Sequence, residues 1–390
     1  LCFENQDFEK NPVFCRVFDE SLDPRIILQG LEISTRKKIK PGQTLLFLDE
    51  VQKCQRALMA LRYFYEEMPE LHVIAAGSLL DVILHSLSFP VGRVQYLTMY
   101  PMTFYEYLLA LGNDSAAEIV SSKPSRISGA MHASLLSELK TYCLVGGMPE
   151  SIRTYSETGS LLDSSRVHEE LIRSFLDDFR KYEVKVNSRC IEQVFDGVSK
   201  NVAGQINYSR LSEEFTHPTV KKAFEVLQRA KIVHRVDSVG RLELPLDIQT
   251  SSKKFKALML DVGLWQRVSG FPIDIVKRES NLMDLYRGAL AEQFVGQELI
   301  SRNHDPLLYW ARSARGSNAE VDYLLSKEGK VYPVEVKSGS SGSLKSLHLA
   351  LESYPDCPAG LVLSTREYEE LPGRRIRFVP IYYAGSPELG

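Results

Sequence analysis

The sequence predicts a multidomain α/β protein, and three observations carry that prediction. Its 390 residues suffice for two to four domains, each able to bury a core of its own. In residues 1–109, continuous apolar runs (LCFE, TLLFLD, HVIAAGS) alternate with amphipathic stretches, the pattern of parallel strands covered by helices on both faces. Residues 248–390 contain a long helical pattern at 285–301, followed by strand, strand, strand, helix, strand.

Composition narrows the functional classes. A net charge of -3 and a pI near 6.3 supply no overall basic excess, so nucleic acid would have to meet a local patch. The six cysteines, Cys2, Cys15, Cys54, Cys143, Cys190 and Cys357, form no C-x-x-C pair and predict reduced thiols rather than a zinc site. No apolar run approaches the ~18 to 20 residues of a spanning helix, so a cytoplasmic protein without a membrane partner is expected. The chain opens on Leu1 rather than Met, from which a missing beginning is expected.

The first element with chemistry is TLLFLDE. Asp49 and Glu50 close a buried strand, where side chains reach the crevice at the carboxyl edge of an α/β sheet. In nucleotide hydrolases the first such carboxylate orients Mg²⁺ and its waters, and the second polarises the attacking water. The competing reading is a strand cap that opens the next helix. The following strand ends at Ser78, and Arg93 follows in FPVGRVQYL; both suit contact with phosphates. No G-x-x-x-x-G-K-[ST] loop accompanies them.

Residues 110–185 turn helical and charged, interrupted by GGMP at 146–149. Together FLDEVQ, AAGSLL, GRVQYLTMYPMTFYEYL and GGMPE resemble the AAA-type ATPases of prokaryotes that carry a C-terminal DUF4143 region. The resemblance implies an incomplete P-loop-type parallel sheet in 1–109, a helical lid in 110–185, and ATP with Mg²⁺ as cofactors. It matches LCFENQDFEK to the family's second strand, and so places the phosphate loop in an upstream segment of roughly 40 residues. Without that loop's N–H groups and lysine, weak or no ATP binding is expected, which calorimetry would test. The resemblance leaves open whether Arg93 acts within its own subunit or across a homo-oligomer.

Residues 186–247 read helix, helix, helix, then two short strands. HPTVKKAFEVLQRAKIV gathers Val220, Ala223, Phe224, Leu227 and Ile232 on one face, and RVDSVGRLELP offers a two-stranded wing. The stretch resembles a winged helix-turn-helix, with Lys221 and Lys222 on nucleic-acid phosphates. Glu213, Glu214 and Glu225 nearby weaken that footprint and favour solvated lysines.

AEVDYLLSKEGKVYPVEVKSG is the richest stretch. A two-residue loop at Glu328-Gly329 makes paired residue numbers sum to 657, which sets Asp322 opposite Glu335 and Glu320 opposite Lys337. Opposed carboxylates ~5 Å apart destabilise a sheet, so a metal ion, a proton or an arginine must offset them. Glu292 projects from the stripe Leu285, Gly288, Ala289, Val295, Gly296 and Leu299 of the preceding helix. Glu292, Asp322 and Glu335 would hold Mg²⁺ or Mn²⁺, with Lys337 activating water or stabilising developing charge. The pattern resembles the PD-(D/E)xK nucleases, whose restriction-endonuclease-like fold has the same element order. No P-D dipeptide precedes the hairpin, and Pro333 predicts an edge or bulge in its second strand.

The leading expectation is an ATP-driven switch coupled to a metal-dependent nuclease, with Glu50, Asp322, Glu335 and Lys337 catalytic. The alternatives are a nucleotide-regulated DNA- or protein-binding switch with an inactive nuclease fold neutralised by Arg312 or Arg315, and a winged-helix transcription regulator.

Overall fold

The computed structural model describes residues 12–77, 92–180, 186–246, 250–270, 288–302, 306–314, 317–339 and 343–389. The predicted LCFE strand, Ser78, Leu285 and Arg315 lie outside them. The chain divides into two compact units, Leu1–Met99 with Arg229–Lys231, and Tyr100–Gln228 with Ile232–Gly390.

The first unit runs α1 (Pro12–Glu20), α2 (Pro24–Thr35), β1 (Leu45–Leu48), α3 (Gln55–Glu67), β2 (His72–Ala75). Asp23 starts α2 by accepting the Arg25 N–H, and Pro24 supplies a helix-compatible φ at the first position. β1 and β2 are parallel, in register from Leu45↔His72 to Leu48↔Ala75. Leu46 and Leu48 turn inward onto Phe14, Ile27, Leu28, Leu58 and Phe64. On the opposite face Leu45 and Ile74 stay 42 % and 47 % exposed, so these strands differ from the two-sided cover predicted. Unbroken apolar runs do not by themselves say how many faces are packed.

The second unit opens with α4 (Phe104–Ala110), α5 (Asp114–Ser121), α6 (Gly129–Val145), α7 (Pro149–Thr158) and α8 (Leu161–Arg180). Thr103 and Glu106 form a reciprocal capping box on α4. The GGMP stretch is a tight junction. Gly146 sits at φ 71°, the Met102 N–H donates to the Gly147 carbonyl at 2.7 Å, and the Gly147 N–H donates to Asp261 at 2.6 Å. A Cβ on Gly146 would strike the Asp261 carboxylate, and one on Gly147 the Met102 carbonyl.

Next come α9 (Ser188–Lys200), α10 (His217–Arg229), β3 (Val233–Val239), β4 (Thr250–Met259), α11 (Val262–Val268) and α12 (Ala289–Arg302). The chain closes with β5 (Leu308–Ala314), β6 (Ser317–Lys327), β7 (Lys330–Val336), α13 (Lys345–Ser353), β8 (Gly360–Ser364), β9 (Glu369–Leu371) and β10 (Ile376–Pro380). The strands make one mixed sheet in the order β4-β3-β5-β6-β7-β8-β10-β9, over a core that includes Trp310, Val321, Leu324, Leu347 and Val362.

α10 buries Val220, Ala223, Phe224 and Leu227, as its periodicity predicts. The expected wing is built differently. β3 pairs with β4 from Val233↔Met259 to Val239↔Thr250, and joins β5 in parallel through Asp237↔Leu308. It belongs to the C-terminal sheet rather than to a separate hairpin over VDSVGR. The cause is burial: Phe255, Ala257, Leu258 and Met259 of β4 are almost fully enclosed and offer β3 a far more apolar partner than RLELP. Of the three helices predicted in residues 186–247, the short one over YSRLSEEF, just before HPTVKKAF, is a 3₁₀ turn at Tyr208–Arg210.

Candidate functional site

The β6–β7 hairpin has the predicted register, with Tyr323↔Val334, Leu324↔Pro333 and Lys327↔Lys330 all paired. Glu328 and Gly329 carry φ 50° and 73°, the left-handed pair of a two-residue hairpin turn. Pro333 precedes Val334, the first residue of β7 that pairs with β8, so it lies where β7 is locally an edge. The ladder stops at Tyr323, one residue short of Asp322. There the Asp322 carboxylate itself takes the Val336 N–H, at 2.8 Å.

The offset for the acidic face is Lys256, which the sequence reading did not single out. Its side chain, 1 % exposed, rises from β4 between Tyr309 and Tyr323, with Nζ 5.4 and 5.9 Å from their ring centroids. Nζ lies 3.1 Å from Glu292, 2.6 Å from Glu320 and 3.0 Å from Asp322. The ammonium donates to Glu292 and to Asp322, and Glu320 adds an ion pair. Burial would lower the Lys256 pKa, but Asp322, Glu292 and Glu320 outweigh it and hold the group well above the ordinary lysine value. Gln205 donates to the other oxygen of Glu320 at 2.5 Å. Arg312, one predicted neutraliser, is exposed.

Glu335 is 7 % exposed, with Oε1 2.5 Å from the Lys337 ammonium and Oε2 buried without a hydrogen-bond partner. Burial, then repulsion from Asp322, push its pKa up to about 7 despite Lys337. Burial and Asp322 likewise push Glu292 up to about 8 against the pull of Lys256, although 21 % of its side chain still meets solvent. Four carboxylates thus share two ammonium groups, and burial with their mutual repulsion favours the protonated forms of Glu292 and Glu335.

A pH dependence follows. An acid whose folded pKa lies above its unfolded value near 4.5 stabilises most at low pH, and that contribution is lost as pH rises through the folded value. His168, whose pKa burial lowers, acts in the opposite sense but only below about 6.5. Glu298, buried in the same unit and raised to about 8, acts in the same sense, so stability of the second unit is expected to fall from about pH 6.5 to about pH 8 and to level off above. Urea denaturation should show a smaller fall for Glu292→Gln; no fall in either protein would refute the assignment.

Of the three carboxylates predicted to hold a divalent ion, Glu292 and Asp322 each give one oxygen to the Lys256 ammonium, while Glu335 pairs with Lys337. Among the described residues, no group of three or more His, Cys, Asp or Glu side chains is placed to hold a metal. Glu292 and Asp322 thus meet at Lys256, and Glu335 and Lys337 form a neighbouring ion pair on β7.

α12 is buried on nearly every side, beyond the single stripe predicted. Gln293 pairs with both backbone groups of Met259 at 2.9 Å, Gln297 accepts the Val262 N–H at 2.7 Å, and Glu298 accepts the Phe104 N–H at 2.9 Å. Asp261, fully buried, caps α11 at Leu264 and ties down the Gly147 N–H. The recoverable signal for Lys256 is its place as the one charge in FKALML, and for the glutamines their i, i+4 spacing in AEQFVGQELI.

In the first unit Asp49 is exposed at the carboxyl end of β1, and Glu50 adopts φ 51°, a left-handed conformation that costs a non-glycine residue energy. Glu50 accepts from Gln52 at 2.6 Å, and its own N–H donates to Asp49 at 3.0 Å. Arg93 contacts Glu66 at 2.8 Å, and Glu66 also receives Arg62. In the second unit Lys221 and Lys222 are exposed, Lys221 3.9 Å from Glu225. Among the described residues no helix is long and apolar enough to cross a membrane.

Comparison with known families matches residues 3–108 to an AAA domain, 136–273 to a domain of unknown function, DUF8612, and 287–384 to another, DUF4143. The DUF8612 match takes in α9 to α11 with β3 and β4, and therefore Lys256. No curated protein matches the chain. Among solved structures it is similar to protein VC1899 from Vibrio cholerae at 9 % identity, over 94 % of this chain and 79 % of that one. The TM-score of 0.19 is too low to carry fold or function across.

Proposed function

Starting from a chain that carries an AAA domain with a C-terminal DUF4143 region, we propose a nucleotide-responsive switch whose C-terminal fold holds a partner rather than cutting nucleic acid. An AAA domain implies nucleotide binding, typically with Mg²⁺, and ATPase-type chemistry. Asp49 fits that role, as an exposed carboxylate where a parallel strand ends. It would orient the waters of a nucleotide-bound Mg²⁺, the ion supplying charge neutralisation on the phosphates, while Glu50 beside it is held by Gln52.

One observation carries the non-cutting reading: the buried Lys256 ammonium lies within 2.6–3.1 Å of Glu292, Glu320 and Asp322. Metal-assisted phosphodiester hydrolysis needs carboxylate oxygens free to bind the ion. Here a buried ammonium occupies one oxygen each of Glu292, Glu320 and Asp322.

The test is a cleavage assay on plasmid, single-stranded DNA and RNA with purified protein in Mg²⁺ and in Mn²⁺. No cleavage above that of Asp322→Ala is expected. Cleavage abolished by Asp322→Ala or Lys337→Ala would overturn the reading in favour of a nuclease.

A further inference from the structure

We propose that Cys15 and Cys54 are a redox pair, which hydrogen peroxide converts to a disulfide that fastens α1 to the turn behind Asp49 and Glu50. The proposal concerns the first unit alone and stands whether or not the C-terminal fold cuts nucleic acid.

Geometry supports it first. Cys15 lies on α1 and Cys54 directly before α3, and the two thiols are hydrogen-bonded to each other. Cys15 Sγ also donates to the carbonyl of Lys53, the residue before Cys54, at 3.9 Å. Both cysteines belong to one apolar core, where Cys54 is 3 % exposed while Cys15 still reaches solvent. Cys54 holds the N-cap position of α3 yet makes no capping bond, a task that Ser, Thr, Asp or Asn performs better. Its thiol meets Cys15 instead. The link would close on the 3₁₀ turn Val51–Lys53, whose first N–H already donates to the Ala76 carbonyl at 3.0 Å. That turn would then be held by α1 as well as by the end of β2.

Charge favours the product. Burial pushes the Cys54 thiol up to about 12 and raises that of Cys15, so a lasting thiolate is disfavoured, whereas a disulfide carries no charge. Cys15, the more exposed, reacts first. Its thiolate attacks one peroxide oxygen, the O–O bond breaks, and the released hydroxide takes up the proton the thiol lost, which leaves Cys15 sulfenic acid and one water. The Cys54 sulfur then attacks the sulfenic sulfur. The S–S bond forms, the S–O bond breaks, and hydroxide departs with the Cys54 proton as a second water. Two thiols have lost two electrons and two protons to one peroxide. Because only the thiolate attacks, the raised Cys15 pKa makes the first step slow at pH 7, and the rate rises about tenfold per pH unit below that pKa.

The experiment treats the reduced full chain with hydrogen peroxide at about pH 7 and pH 8, with dimedone to trap sulfenic acids, and maps the peptides by mass spectrometry. Wild type is expected to yield a Cys15–Cys54 cross-link that dithiothreitol reverses and that forms about tenfold faster at the higher pH. Cys54→Ser keeps a good N-cap residue and should carry dimedone on Cys15, whereas Cys15→Ser should carry none on Cys54. Amide exchange over residues 49–54 should slow roughly tenfold in the cross-linked form. Thiols that stay reduced, Cys15 or Cys54 joined to another cysteine, over-oxidation of Cys15 in wild type without a cross-link, or exchange indifferent to the cross-link would each overturn the proposal. Should Cys54→Ser fail to fold, Cys54→Ala is judged by the same criteria.

Discussion

Lys256→Met is expected to destabilise the second unit by about 3–5 kcal/mol, the largest effect of any single change in the pocket. The substitution preserves most of the side-chain volume and removes only the charge. It leaves Glu292, Glu320 and Asp322 facing one another with no positive group among them. Each must then ionise against its neighbours or bind a proton, and both cost stability. Glu292→Gln placed on top of Lys256→Met should return part of the loss, because it removes one of the unbalanced charges and the two sites touch. Trp265 and Trp310, the two tryptophans of the chain, both lie in this unit, so denaturation followed by fluorescence reports on it directly. A loss below about 1 kcal/mol would mean the cluster is solvated like a surface pair.

Gly147→Ala is expected to cost about 3 kcal/mol or more, through overpacking of backbone against backbone. The new Cβ would run into the Met102 carbonyl. The loop has little room to retreat, because Met102 N–H is bonded to Gly147 O and Gly147 N–H to Asp261. Gly159→Ala is the control. Unlike Gly147, Gly159 has a positive φ, 65°, but nothing lies within 4 Å of its Cβ position, so only the backbone preference of about 1–2 kcal/mol is lost. Equal stability of the two variants would show that the junction is looser than its contacts indicate.

What could be read from the chain divides by range. The hairpin register was legible because it depends on two residues of turn chemistry, Glu328 and Gly329, and on a side-chain period of two. The buried face of α10 was legible for the same local reason, a 3.6-residue period through Val220, Ala223, Phe224 and Leu227. Lys256 was not. Its partners Glu292 and Asp322 lie 36 and 66 residues further on, and as one of three lysines in KKFK it reads as solvated. The wing failed because a strand's neighbour is chosen by tertiary burial, and β4 competes better for β3 than an adjacent short run does. Of the three acids predicted to share one ion, Glu292 and Asp322 meet at Lys256 while Glu335 pairs with Lys337, and Glu320 joins the first two.

Whether an ammonium or a metal balances those acids is tested most directly by anomalous diffraction from crystals of the wild-type protein soaked in Mn²⁺. No anomalous peak is expected among Glu292, Glu320, Asp322 and Glu335, with Lys256 Nζ in density between the first three. A peak coordinated by Asp322 and Glu335, with Lys256 displaced, would contradict it.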